Sequence, residues 1–299
     1  MQRKNERGRT EVFFPGEHLG FPELAKKTTN SYLARYQLIP LYHERVEFCV
    51  SNLRHDTNYS GFQAIMKDGG LKKPGDAMNS TQSLVWWSLA VSKDDIAGAE
   101  KRFLASVDHP ECKPFLHKFT TSPAFKMSSR MGNFRFTFPL RELLATYSIQ
   151  FCKGQTPQIR IYETVVYKQE VMYALVVHGP EAQREFQKYP LLQNSHSAVR
   201  VFNNEMIWWR PEGMCTTNTF RLSQSQGIRA ARVLTKKRKW FPWDHMAVAF
   251  HVPQGSIFKF DQEILLQHLS LCQGALPKLS NEDFIKCEFE VQPPQGDVR

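Results

Sequence analysis

YKQEVMYALVVH, residues 167 to 178, sets a carboxylate, Glu170, at the mouth of a run that is otherwise almost wholly apolar. From Val171 to Val177 both alternating faces are apolar, the pattern of a central strand covered on two sides. Other parts of the chain must then supply strands along both of its edges. Glu170 stands where this strand emerges, a position that suits either a carboxylate aimed at a ligand or an ion pair with Lys168. Glu170 and His178 are eight residues apart. On a continuous strand that is roughly 26 Å at about 3.3 Å per residue, so they belong to different sites.

Upstream, NFRFTFPLRELLATY alternates as a strand to Phe138, turns at Pro139 and continues helically through Leu143, Leu144 and Tyr147. LVWWSLAV (Leu84 to Val91) is rich in strand formers. Behind it SKDDIAGAEKRFL offers capping side chains ahead of Ile96, Ala99, Phe103 and Leu104 at helical spacing. In NYSGFQAIMKDGGL, Phe62, Ile65 and Met66 form one helical face and Gly69-Gly70 stops it. YLARYQLIPLYH reads as a first strand ending at His43. Residues 1 to 30 carry many charges without sustained periodicity, which predicts a flexible basic arm. These segments run strand, helix, strand, helix, and the class expected is α+β.

The chain also resembles itself. Phe62-Gln63 precedes Trp86-Trp87 by 24 residues, and Phe186-Gln187 precedes Trp208-Trp209 by 22. From Trp87 to Cys152 is 65 residues and from Trp209 to Cys272 is 63; from Cys152 to Glu170 is 18 and from Cys272 to Glu288 is 16. LVWWSL matches MIWWRP, FRFTFPLRELLATYSIQFC matches FKFDQEILLQHLSLC, and YKQEV matches IKCEF. This order predicts a duplicated unit of about 120 residues, residues 31–178 and then 179–292, with a tail over 293–299. The strand after Glu170 ends the first unit and leaves almost no linker, so the two units should be tightly joined.

At 299 residues with a hydrophobic fraction of 41%, the chain has ample material for a packed core, and its net charge of +10 favours anionic partners. The six cysteines show no CxxC pair and no metal-ligand spacing, so they read as thiols in a reducing compartment and no metal site is expected. MQRKNERGRT lacks the apolar core of a signal peptide, and no apolar run approaches membrane-spanning length. These features predict a cytoplasmic protein, with the nucleus as the alternative compartment, neither secreted nor held in a membrane.

No GxxxxGK[ST] loop, GxGxxG turn, HExxH pair or GxSxG elbow occurs, which removes support for P-loop, Rossmann, zinc-protease and ordinary esterase chemistry. Tyr42-His43, the helix ending in Gly69-Gly70-Leu71, the aromatic strand LVWWS and the late VVYKQEVMY segment together resemble the ADP-ribosyltransferase superfamily. The similarity is to its poly(ADP-ribose) polymerase and DNA-modifying toxin branches, and it covers Tyr36 to His178. The resemblance implies two tandem ADP-ribosyltransferase-like units with mixed or antiparallel sheets, the second degenerate. It also implies NAD as substrate, and transfer of its ADP-ribosyl group to nucleic acid or a protein acceptor.

On this resemblance Glu170 is the carboxylate that stabilises positive charge on the ribose as the nicotinamide bond breaks, and His43 anchors the adenosine ribose. Tyr42, Trp86, Trp87 and Ser88 are the corresponding cofactor-binding candidates. Two departures accompany it. Glu44 and Arg45 follow His43 where the family carries small residues, and aligning the strand by Tyr173 puts Gln169 at the glutamate's position.

A second reading rests on LTKKRKWFPW. There Lys236, Lys237, Arg238 and Lys239 run into Trp240, cations for phosphate beside rings for stacking. This predicts a non-catalytic nucleic-acid- or protein-binding module. Its bland alternatives are an import-like basic run or a solvated loop.

Overall fold

In this computed structural model, residues 1–5, 8–38, 46–73, 83–105, 123–125, 127–192, 199–202, 205–213, 219–225, 228–235 and 242–274 are described. An N-terminal hairpin, β1 (Gln2–Lys4) and β2 (Thr10–Pro15), leads to helix α1 (Phe21–Lys27) and a 3-10 segment over Leu33–Leu38. Next come β3 (Phe48–Val50), β4 (Asn52–Thr57), helix α2 (Tyr59–Asp68), β5 (Gly70–Leu71), β6 (Leu84–Leu89) and helix α3 (Lys93–Ala105). β7 (Ser128–Ser129), β8 (Phe134–Pro139) and helix α4 (Leu140–Phe151) precede the hairpin of β9 (Gln158–Tyr167) and β10 (Glu170–His178). The short helix α5 (Gln183–Phe186) is followed by β11 (Val199–Phe202), β12 (Met206–Trp209), β13 (Thr219–Ser225), β14 (Ile228–Thr235) and β15 (Trp243–His251). β16 (Phe258–Lys259), helix α6 (Gln262–Gln267), β17 (Leu269–Leu271) and β18 (Gln273–Gly274) close the described chain.

The principal sheet has nine strands in the order β1-β2-β9-β10-β15-β6-β4-β8-β17, and β10 lies well inside it. β9 pairs with one edge of β10 in antiparallel register, and β15 pairs with the other in parallel register, from Glu170 opposite Trp243 to Val177 opposite Phe250. The other described pairings of this sheet are antiparallel. A parallel neighbour needs a long crossover, here residues 179 to 242.

β15 thus comes from the far side of residue 178 yet sits between β10 and β6, and β3 pairs with β12 across the same boundary. The described residues form a single mixed-sheet α+β fold rather than two separate sheets for residues 31–178 and 179–292. The physical reason is the two-sided apolar β10, whose second edge stays unpaired unless β15 fills it. The matched segments share local structure: both Trp pairs lie on strands, β6 and β12, and both aromatic segments are strand-to-helix units, β8–α4 and β16–α6. Their places differ, since β6 is interior to the large sheet while β12 lies in a three-stranded one.

Of residues 1–30, expected as a flexible arm, the described ones, 1–5 and 8–30, are instead built into the fold. TEVFFP is a short strand, and Val12 to Pro15 pair with Val166 to Glu163 of β9. Phe21 and Leu24 of α1 are buried in the core. The expected first strand is also corrected: Leu33–Leu38 forms a 3-10 segment. Asn30 Oδ1 accepts the N–H groups of Tyr32 (2.9 Å) and Leu33 (3.2 Å), which caps that segment. Its side-chain amide donates to the Lys168 carbonyl at 2.6 Å, tying the segment to the β9–β10 turn.

One sheet face carries Val171, Tyr173, Leu175 and Val177 with Met246, Val248, Phe250, Trp87 and Phe138, under Leu143, Leu144 and Tyr147 of α4. The opposite face holds a smaller apolar cluster of Leu84, Tyr162, Ala174, Val176, Phe186, Tyr189 and Ala249. α2 follows its sequence pattern, with Phe62 and Ile65 buried and Gly69 ending it at φ 65°, a left-handed position that glycine adopts without a Cβ clash.

The N-terminal hairpin is clamped by charge. Arg3 donates from Nη1 to Glu163 Oε2 (2.8 Å), from Nη2 to Glu163 Oε1 (2.6 Å) and from Nε to Glu11 (2.7 Å). Burial pushes the Glu163 carboxyl up, and the Arg3 guanidinium pulls it back. Arg3→Ala strands a buried carboxylate and is expected to cost about 2–3 kcal/mol, below the fully buried range because Arg3 meets solvent. Urea unfolding checks it: adding Glu163→Gln to Arg3→Ala should recover much of the loss, and an unchanged midpoint in Arg3→Ala contradicts the clamp.

Candidate functional site

Glu170 begins β10 directly after a two-residue turn. Lys168 takes φ 55° there, and the Gln169 carbonyl accepts the Trp243 N–H at 2.9 Å. Gln169 therefore belongs to the turn, and Glu170 is the first residue paired in the strand. Register puts Glu170, Met172 and Ala174 on one face with Trp243, His245 and Ala247 of β15. It adds Ser88 and Trp86 of β6, Arg54 and Asp56 of β4, and Arg135 of β8 to that face.

His245 Nε2 lies 3.1 Å from Glu170 Oε1. Arg130 reaches both carboxylate oxygens, with Nη1 3.1 Å from Oε2 and Nη2 3.0 Å from Oε1. Burial raises the Glu170 carboxyl, but His245 and Arg130 outweigh it and hold the group at about 2. The carboxylate is ionised at neutral pH and already gripped by two nitrogen-bearing side chains.

A second charged cluster occupies the same face on β4, three places from β10 in the sheet. Arg135 grips Asp56 with Nε at 2.7 Å and Nη2 at 3.0 Å, and Arg54 Nε lies 3.7 Å from the same carboxylate. Burial raises the Asp56 carboxyl, while Arg135, Arg54 and the Ser129 hydroxyl lower it further, for a net downward shift. Burial beside Arg135 pushes Arg54 down to about 10 despite Asp56. Ser129 thus bonds Asp56 while the next residue, Arg130, grips Glu170, so one short segment ties the two carboxylates together. In these two clusters Arg54, Arg130, Arg135 and His245 face Asp56 and Glu170, while Glu11 and Glu163, held by Arg3, lie on the same face toward β1.

The residues singled out in the sequence are not gathered around Glu170. Trp87 is 1% exposed and faces the opposite, apolar side against Phe138 and Phe250, so its ring cannot sandwich a ligand beside Glu170. Trp86 is on the polar face, its ring 6.0 Å from that of Tyr162. Through β15, Ser88 is level with Ala174 and Trp86 with Val176. Those are roughly 13 Å and 20 Å along the strand from Glu170 at about 3.3 Å per residue. Lys168 does not pair with Glu170; its ammonium lies 5.4 Å from the Tyr167 ring. His178, at the far end of β10, accepts from Arg160 Nε at 2.9 Å. Tyr42, His43, Glu288, Lys236, Lys237, Arg238, Lys239 and Trp240 lie outside the described residues.

Sequence reasoning missed Arg130, His245 and the Arg54–Asp56–Arg135 cluster. Two of these left a trace. NLRHDT sets Arg54 and Asp56 at i, i+2 on one strand face, and WDHMAVAFH sets His245 two residues from Trp243 on the face of Glu170. Arg130 left none, because its contact depends on the tertiary path of β7. Among the described residues, no group of three or more His, Cys, Asp or Glu side chains could hold a metal ion. No described helix is long and apolar enough to cross a membrane. Neither a protein-family model, nor a curated protein, nor a solved structure matches the chain.

The Glu170 grip has a pH signature. A carboxylate held at about 2 stabilises the fold fully above the unfolded value of about 4.3, and that contribution fades as pH falls toward the folded value. Glu170→Gln is expected to lose about 1–2 kcal/mol at neutral pH, with the difference from wild type shrinking below about pH 4.3. Unfolding midpoints measured across that range test it; a pH-independent difference argues against the pairing.

Proposed function

We propose that this chain is a non-catalytic binding module for single-stranded nucleic acid. The observation that carries the reading is the polar sheet face, where Arg54, Arg130, Arg135 and His245 surround two carboxylates. Three guanidinium groups beside two carboxylates in these clusters favour an anionic ligand, and the exposed fork of N–H donors on Arg130 fits phosphate oxygens. Trp86, partly buried on the same face, supplies a ring against which a base can stack. The net charge of +10 and the run Lys236 to Lys239 beside Trp240 act in the same direction. Such a ligand is met in the cytoplasm or the nucleus. A protein partner would have to present comparable negative charge.

One observation favours the transferase reading as well: Glu170 is ionised, the form that stabilises a positively charged ribose. For that role the carboxylate must turn from Arg130 and His245 toward the sugar, and as it stands those two side chains already engage it. Binding asks no such turn of Glu170, because the Arg130 side chain is exposed to an incoming anion.

Fluorescence anisotropy with a labelled single-stranded oligonucleotide separates the readings. Affinity is expected to fall steeply with salt, and replacing Lys236, Lys237, Arg238 and Lys239 by Gln should reduce the log–log slope by about 3. Arg54→Gln should weaken binding without abolishing it. Absent or salt-insensitive binding would count against the module. A covalent product from labelled NAD that disappears in Glu170→Gln would establish the transferase instead.

A further inference from the structure

A second pair of acids lies on the other side of the sheet, away from Glu170. Asp244, in the first turn of register of β15, is fully buried. Its Oδ1 accepts the backbone N–H groups of Glu212 (3.0 Å) and Gly213 (2.8 Å), while its Oδ2 has no hydrogen-bond partner among the described residues. The Glu212 side chain turns the other way along the same seam. Its Oε2 accepts the Phe21 N–H at 2.9 Å, and its Oε1 lies 3.3 Å from the Tyr173 hydroxyl, which donates to it.

Two glycines show how tightly the segments meet. A Cβ on Gly213 would come within 2.5 Å of Trp243 Cα, and one on Gly20 within 2.9 Å of Glu212 Oε1. The stretch around Glu212 therefore presses on the origin of β15, and the start of α1 is held to that stretch through the Glu212 carboxyl. From β10 the pair is faced by Tyr173, whose ring lies 3.8 Å from that of His18. From α1 it is faced by Glu23, whose carboxylate accepts the Gly20 N–H at 2.7 Å. On β15 itself, His245 points to the opposite face and Glu170.

We infer that Asp244 and Glu212 act as a proton-dependent latch, which holds residues 18–27 and 210–213 on the sheet while Asp244 is protonated and loosens them when it ionises. A protonated Asp244 keeps one oxygen for the two backbone donors and places a neutral hydroxyl on the other. An ionised one leaves a bare buried oxygen near a second carboxylate. Burial pushes the Asp244 carboxyl up and the Glu212 charge pushes it further, to about 7, against the pull of the backbone N–H groups. Because this lies above the unfolded value of about 3.9, the folded chain retains a proton that the unfolded chain releases. Stability from the pair is complete below the unfolded value and is lost as pH rises through the folded one. The inference does not depend on the ligand of the polar face.

Hydrogen–deuterium exchange of the full chain tests it, with protection corrected for intrinsic exchange and compared between about pH 5.5 and about pH 8. In wild type, peptides covering residues 18–27 and 210–213 should lose protection by about tenfold or more at the higher pH, and in Asp244→Asn they should not. Equal wild-type protection at both pH values, or the same loss in Asp244→Asn, would overturn the latch. Should that variant fail to fold, carbon-13 titration of the wild-type carboxyls decides. An Asp244 carboxyl titrating near neutrality supports the inference, and one titrating below about pH 5 refutes it.

Discussion

The parallel pairing of β10 with β15 is the constraint on which the rest of the structure depends. β10 is apolar on both faces, so it must be covered above and below, and both of its edges need backbone partners far from solvent. The hairpin supplies β9 at once. The second edge waits for β15, which arrives only after residues 179 to 242. That late arrival joins the two halves of the chain into one sheet. It also fixes what faces what: His245 comes to Glu170 on one side, and Asp244 is driven into the core on the other.

The sheet then divides labour between its faces. The apolar face takes the long aromatic and aliphatic side chains together with α4, and Trp87 is spent there on packing. The polar face carries charge that is satisfied in two clusters, Glu170–Arg130–His245 and Asp56–Arg135–Arg54, joined through Ser129 and Arg130. Burying guanidinium groups is costly unless each finds an anion. Arg54 and Arg135 meet that condition at Asp56, while Arg130 keeps an exposed side that an anionic ligand can reach.

Much of the local structure was legible in the sequence because it follows from periodicity. The glycine-stopped helix α2, the aromatic strand β6 and its following helix, the Pro139 switch from β8 to α4, and β10 as an interior strand all follow from neighbours within a few residues. The N-terminal hairpin was not legible. Its strands are short and charged, and they are held by Arg3 reaching Glu163, 160 residues away. Leu33–Leu38 has strand-like composition, yet the Asn30 side chain caps it into a tight turn. The two Trp pairs and the two aromatic strand-to-helix segments lie on like local units, but sequence spacing carries no information on where each enters the fold. Of the site, Glu170 was picked out, together with Trp86 and Ser88 farther along the same face. Its two partners approach from distant segments, and nothing local to Glu170 announces them.

The account turns on whether Glu170 is a carboxylate closed by its own chain. A double-mutant cycle on Arg130→Ala and Glu170→Gln, read from unfolding free energies at low salt, measures that contact directly. The account predicts a favourable coupling of about 1 kcal/mol that weakens as salt is raised, as befits a forked but partly exposed pair. Strictly additive single-mutant effects would contradict it and leave Glu170 free for other chemistry.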